Sequence, residues 1–215
     1  MNSLIKTEKI KAVLFDYNGV IVDDLDACGR AECDVINSLG GQRLSISYWF
    51  KNIHQDWQKF YMAHGVPRKN LRQTHKLMAK YYPKYKRYLK LTPHIKPVLQ
   101  KLTERNIKLG ILSAASSGMV KDGLKKMKLV NYFSFIICGD DVSKPKPHPQ
   151  GLSRAVRLFK VKPSEVMYVD DMPSIFAAAK KMGIKTIGLY SRVSGDLSSA
   201  DIRIRDIRNL LKYIK

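Results

Sequence analysis

The chain reads as an α/β protein, a doubly wound parallel sheet with a small α-helical cap domain, and three observations lead there. A short apolar run, Ala12 to Phe15, stops abruptly on Asp16. From residue 93 onward, helix-length amphipathic segments alternate with apolar runs of strand length. Between those regions, helical segments follow one another with no strand pattern among them. An unbroken apolar strand suits a sheet buried on both faces. Helices inserted before the alternation begins form a separate unit, which divides the chain into a core of residues 1–20 and 93–215 and a helical cap of residues 21–92.

Taken in order, the strand at 12–15 is followed by a helix from Asp24 to about Leu39. Its residues Leu25, Cys28, Val35, Ile36 and Leu39 fall mostly on one face, and Gly40-Gly41 ends it. A second helix spans roughly residues 47–64 and stops at Gly65; a third runs from Pro67 to about Tyr82, where Pro83 breaks or restarts it. The alternation then starts with a helix at 95–104 and a strand at 108–112 that ends on Ser113. Helices near 118–128, 149–158 and 175–182 lead into the strands FIIC (135–138), VMYV (166–169) and TIGLY (186–190). A short strand at 202–204 and a basic helix from Asp206 complete the pattern.

A chain of 215 residues, 45% of them hydrophobic, can bury one substantial core plus a smaller insertion. No window of about 18 apolar residues is present, so no membrane partner is expected. The first strand follows the N-terminus without an intervening secretory pattern, and a cytoplasmic location is expected. Cys28, Cys33 and Cys138 match neither a metal nor a redox spacing and read as reduced structural thiols. The 39 Lys and Arg against 18 Asp and Glu give a formal net charge of +21, which favours anionic partners without choosing among phosphorylated metabolites, nucleic acid and anionic surfaces. Oligomeric state is not legible.

Asp16, Ser113, Lys146 and the pair Asp170-Asp171 all fall at strand ends or in the loops after them, where open α/β sheets bind ligands. Each has a plainer reading alone: the carboxylates as helix caps, Ser113 as a loop residue, the lysine as solvated. Together they supply what phosphoryl transfer requires. A carboxylate acts as nucleophile, a hydroxyl and an ammonium hold the anion, and further carboxylates hold a divalent cation. Hard Mg²⁺ takes oxygen ligands and bridges carboxylate to phosphate.

In these motifs the sequence resembles the haloacid dehalogenase (HAD) superfamily, specifically its phosphatase-like members with a helical cap after the first motif, the phosphoglycolate phosphatase and β-phosphoglucomutase-like group. DYNGV (16–20) resembles the first motif, which implies Asp16 as the residue that accepts the phosphoryl group. ILSAAS (111–116) resembles the second, implying Ser113, with Ala114 beside it, as phosphate-binding. KPHP (146–149) resembles the third and points to Lys146, with Lys144 as the alternative. YVDDMPSIFAAAKKMG (168–183) resembles the fourth, implying Asp171 and Asp170 as metal ligands alongside Asp16 and the Asn18 carbonyl, with Mg²⁺ as cofactor and a small phosphorylated molecule as substrate.

Two positions depart from the family pattern. Ile175 stands where many members carry an Asp, although members with an acidic pair also lack it. Asn18 replaces the Asp that protonates the leaving group and then activates water. An amide cannot shuttle a proton near neutral pH, so a slow phosphatase is expected.

The segment from Trp57 to Thr103 contains no Asp or Glu, and Tyr81, Tyr82, Tyr85 and Tyr88 interleave with its densest lysines. Such a surface suits nucleic acid or another polyanion, the alternative function, a catalytically weak binding protein. The plainer reading is a solvated basic face over a core that includes Tyr81, Tyr85 and Tyr88. His54, His64, His75 and His94 are scattered and read as surface residues.

Overall fold

In a computed structural model, residues 9–53 and 57–214 are described, so the reading of the first eight residues and of His54 lies outside them. The chain begins with β1 (Ala12–Phe15), β2 (Val22–Asp23), α1 (Leu25–Ser38), α2 (Ile46–Asn52), α3 (Trp57–Ala63), α4 (Thr74–Tyr81) and β3 (Lys90–Leu91). It continues with α5 (Ile95–Glu104), β4 (Lys108–Leu112), α6 (Ser117–Lys126), β5 (Phe135–Ile137), α7 (Gln150–Phe159), β6 (Val166–Asp170), α8 (Phe176–Lys181), β7 (Lys185–Leu189) and β8 (Ile202–Ile204). Contacts divide it into two compact units, one running to Ile21 and resuming at Thr92, the other Val22–Leu91.

The first unit is built on a six-stranded sheet of order β5-β4-β1-β6-β7-β8, with every neighbouring pair parallel. The central strand β1 is buried along its whole length, as its continuous apolar character requires. The chain builds outward from β1 through β4 to β5, then crosses back to place β6 on the other side of β1. That reversal is a topological switch point, where strand ends open a crevice. Register fixes what lies there: Phe15 is level with Ile111 of β4 and with Val169 of β6. Asp16 therefore emerges beside Asp170, with Ser113 just beyond the end of β4.

Under the sheet, Leu14, Leu112, Leu152, Phe159, Tyr168 and Phe176 are among the residues of one buried cluster. Two sequence expectations shift here. The segment after Asp206 is a 3-10 turn series, Ile207–Tyr213, and not an α-helix; the Asp206 carboxylate accepts the Arg208 N–H at 2.8 Å and tightens its start. The helix expected at 175–182 opens as a 3-10 turn, Pro173–Ile175, before α8.

The second unit is helical apart from the two-residue strands β2 and β3, which pair antiparallel and are too short to be legible in the sequence. Gly29 lies inside α1 because a Cβ there would sit 2.6 Å from the Trp49 ring. The third helix is divided into a 3-10 stretch (Arg68–Gln73) and α4, and at Pro83, which has no N–H to continue an α ladder, the chain goes on as a second 3-10 stretch (Tyr82–Tyr88). This changes which tyrosine is buried. Tyr82 enters the core and donates to Asp24 at 2.9 Å, while Tyr81, Tyr85 and Tyr88 stay half-buried. His64 is also buried, with Nδ1 2.7 Å from the Phe60 carbonyl oxygen and Nε2 3.2 Å from the Tyr48 hydroxyl, because Gly65 turns the chain immediately after it.

Glu32 of α1 accepts the Trp49 indole N–H at 2.8 Å. Burial pushes its carboxyl up to about 7, the Trp49 hydrogen bond opposes the rise, and the nearby Asp24 charge adds to it. The folded protein therefore keeps this proton over a range in which the unfolded chain, titrating near its ordinary 4.5, has released it. Stability from this group is fully present below about pH 4.5 and is lost as pH rises to about 7. Glu32→Gln retains an acceptor for Trp49 and removes the titration. Urea unfolding is expected to show it near the parent at pH 4.5 and roughly 1–3 kcal/mol more stable at pH 8.

Candidate active site

Asp16, the first residue after β1, lies against Lys146, whose Nζ is 2.9 Å from its Oδ1. The same ammonium is 3.0 Å from Asp170 Oδ2 at the end of β6 and 3.1 Å from the Tyr168 hydroxyl. Lys144 is exposed, and Lys146 is the lysine that reaches the strand ends. It lies in the loop before α7, preceding a cis peptide bond to Pro147.

Asp170 is held from several sides. Its Oδ2 also accepts a hydrogen bond from Tyr168, and its Oδ1 accepts the Met172 N–H at 2.9 Å. Oxygens of Asp16, Asp170 and Asp171 all lie within 4.8 Å of one another, and all three residues are buried. Ser113 Oγ accepts the Ala115 N–H at 3.1 Å and lies 3.4 Å from Asn18 Oδ1, toward which its hydroxyl donates. Ala114 is exposed at the head of the loop after β4, and its carbonyl packs where only a glycine fits, 2.4 Å from where a Cβ of Gly139 would stand.

This geometry determines the electrostatics. Burial raises the Asp16 carboxyl to about 7; Lys146 pulls it down and Asp170 pushes it further up. Asp171 is driven well above the ordinary carboxylate range by burial, then by Asp170 and Asp16. Burial opposes the charged form of Lys146, but the carboxylates of Asp16 and Asp170 outweigh it and raise the ammonium above its usual value. With all three carboxylates ionised, one ammonium would leave negative charge in excess. The donor set is all oxygen and closely convergent, which fits a hard divalent cation.

Two participants escaped the sequence reading. Tyr168 reads from the sequence only as part of an apolar strand, yet it lies two residues before Asp170 and so shares its face of β6, a periodicity that marks it. Ser191, just beyond β7, hydrogen-bonds Asp171, and its place after a parallel strand was the available signal.

The family model for haloacid dehalogenase-like hydrolases matches residues 13–189. The chain belongs to that family. It is a hydrolase of the phosphatase kind. The phosphoglycolate phosphatase of Escherichia coli strain K12 is 27% identical, covering 96% of this chain and 93% of its own. The fold is shared with a HAD-superfamily hydrolase of Geobacter sulfurreducens (TM-score 0.73, 22% identity, 94% and 98% covered). It is also shared with CbbY of Rhodobacter sphaeroides, solved with xylulose-1,5-bisphosphate (TM-score 0.78, 18% identity, 96% and 100% covered). No helix among the described residues is long and apolar enough to cross a membrane.

Gly19 shapes this centre twice over. Its φ of +76° is a left-handed conformation, and a Cβ there would stand 2.1 Å from Asp171 Oδ2. Gly19→Ala is expected to displace Asp171, to destabilise the protein by about 1–3 kcal/mol in urea unfolding, and to lower turnover of an aryl phosphate roughly tenfold or more.

Proposed function

We propose that this hydrolase cleaves a small phosphomonoester through an aspartyl-phosphate on Asp16, with Mg²⁺ as its cofactor. The observation that carries the proposal is the Lys146 ammonium between Asp16 and Asp170 at the switch point of the sheet. It keeps a buried carboxylate ready to meet an anionic substrate. The relatives support the substrate class: one is a phosphoglycolate phosphatase, and one structure holds a sugar bisphosphate.

In this reading the Asp16 carboxylate attacks phosphorus, the ester P–O bond breaks and the leaving group departs as its oxyanion, which takes a proton from water. Water then attacks the phosphorus of the acyl phosphate, releasing inorganic phosphate and restoring Asp16. Ser113 Oγ and the Ala114 amide hold phosphoryl oxygens, and Lys146 offsets their charge. Asp16, Asp171 and the Asn18 backbone carbonyl would hold the metal, which neutralises phosphoryl charge when bound. Asp170 already accepts from Lys146, Tyr168 and Met172, so its share of the metal is the smaller and its main task is to orient Lys146.

Asn18 sets the rate. Its amide faces Ser113 and can orient a water, but it cannot protonate a leaving alkoxide, so substrates with good leaving groups react best. Asp16→Asn is expected to abolish Mg²⁺-dependent phosphate release from p-nitrophenyl phosphate, by about 10³-fold or more; retained release overturns the mechanism. Asn18→Asp is expected to raise kcat by about 10²-fold, most for alkyl phosphates; an unchanged kcat means that another group already supplies the proton.

A further inference from the structure

The helical unit contains a cavity of about 250 Å³ whose polar lining includes Arg30, Asp34, Asn37, Arg43 and Tyr85. Arg30, on α1, is stacked over the Tyr88 ring with its guanidinium carbon 4.5 Å from the centroid. Its Nε is buried and finds no hydrogen-bond acceptor among the described residues. The natural partner would be Asp34, one helical turn along, but Asp34 Oδ2 accepts the Tyr85 hydroxyl at 2.9 Å. A guanidinium has only donors, so what Arg30 offers the cavity it lines is a place for an acceptor.

The rest of the cavity indicates what kind of acceptor. Arg43 is exposed and adds a second guanidinium, and Asn37 adds an amide. Guanidinium groups match the oxygens of a tetrahedral oxyanion. Lys84, Lys86 and Arg87 flank Tyr85 in a segment without Asp or Glu from Trp57 to Thr103, which sets positive charge on that side of the cavity against Glu32 and Asp34 of α1. Leu44 and Ile46 give the cavity a small apolar wall, and its volume suits a phosphoryl group on a short carbon chain.

We propose that this cavity binds a phosphoryl dianion, as free phosphate or as a small phosphomonoester, through Arg30 and Arg43. The site is built wholly within the helical unit, shares no residue with the Asp16 centre and does not depend on the mechanism proposed there.

The test is isothermal titration of the full-length protein in EDTA, where any phosphate held at the Asp16 centre is unaffected by substitutions in the helical unit. Inorganic phosphate and glycerol 3-phosphate are titrated separately, each into this protein and into versions that add Arg30→Gln or Arg43→Gln. Saturable binding of either probe, weakened roughly tenfold or more by each arginine substitution, is the expected result. Tighter binding of glycerol 3-phosphate assigns the cavity to an ester, and tighter binding of phosphate assigns it to the free anion. Arg43 is exposed, so its substitution reports even where loss of Arg30 disturbs the fold. No saturable binding up to about 10 mM of either probe, or binding unaffected by Arg43→Gln, overturns the proposal.

Discussion

One ammonium between two carboxylates organises the core of this protein. Lys146 reaches the buried ends of β1 and β6, where Asp16 and Asp170 would otherwise repel each other across neighbouring strands. Removing either partner from such a buried arrangement strands a charge, so the three side chains stand or fall together. The parallel register is what makes the arrangement possible, because it brings the residue after Phe15 and the residue after Val169 to the same level. The helical packing beneath the sheet, with Tyr168 and Phe176 in its core, supports the strand end that holds Asp170.

A single lysine does not balance the centre. Asp16 and Asp171 remain raised above the ordinary carboxylate range, a free-energy penalty that a bound cation and an incoming phosphoryl group would relieve in different ways. Stability has been given up locally for a site that suits charged ligands, the usual relation between perturbed carboxylates and chemistry.

Much of this was legible in the sequence because it rests on short-range patterns. The apolar run ending on Asp16, the repeated helix and strand lengths and the Pro-containing loop around Lys146 each report local structure, and the sheet aligns them. What was not legible depends on side chains meeting across distance. The burial of Tyr82 in place of Tyr81, Tyr85 and Tyr88 follows from a change of helical pitch at Pro83 and from the position of Asp24, and neither leaves a trace in spacing. His64 is buried for a similar reason, through partners sixteen and four residues away in the chain. Tyr168 was hidden because an aromatic residue in a buried strand looks the same whether its hydroxyl is idle or engaged.

The pairing of β2 with β3 has a consequence for how such a chain can change over time. Val22 lies opposite Leu91, and within the other unit the Thr92 N–H donates to the Ile21 carbonyl at 3.1 Å. The insertion thus leaves and re-enters the sheet domain through adjoining residues, as a stem does. Lengthening, shortening or exchanging what lies beyond a closed stem adds little loop-closure entropy and leaves the strand register untouched. The helical unit is free to diversify while the strand ends it interrupts stay fixed.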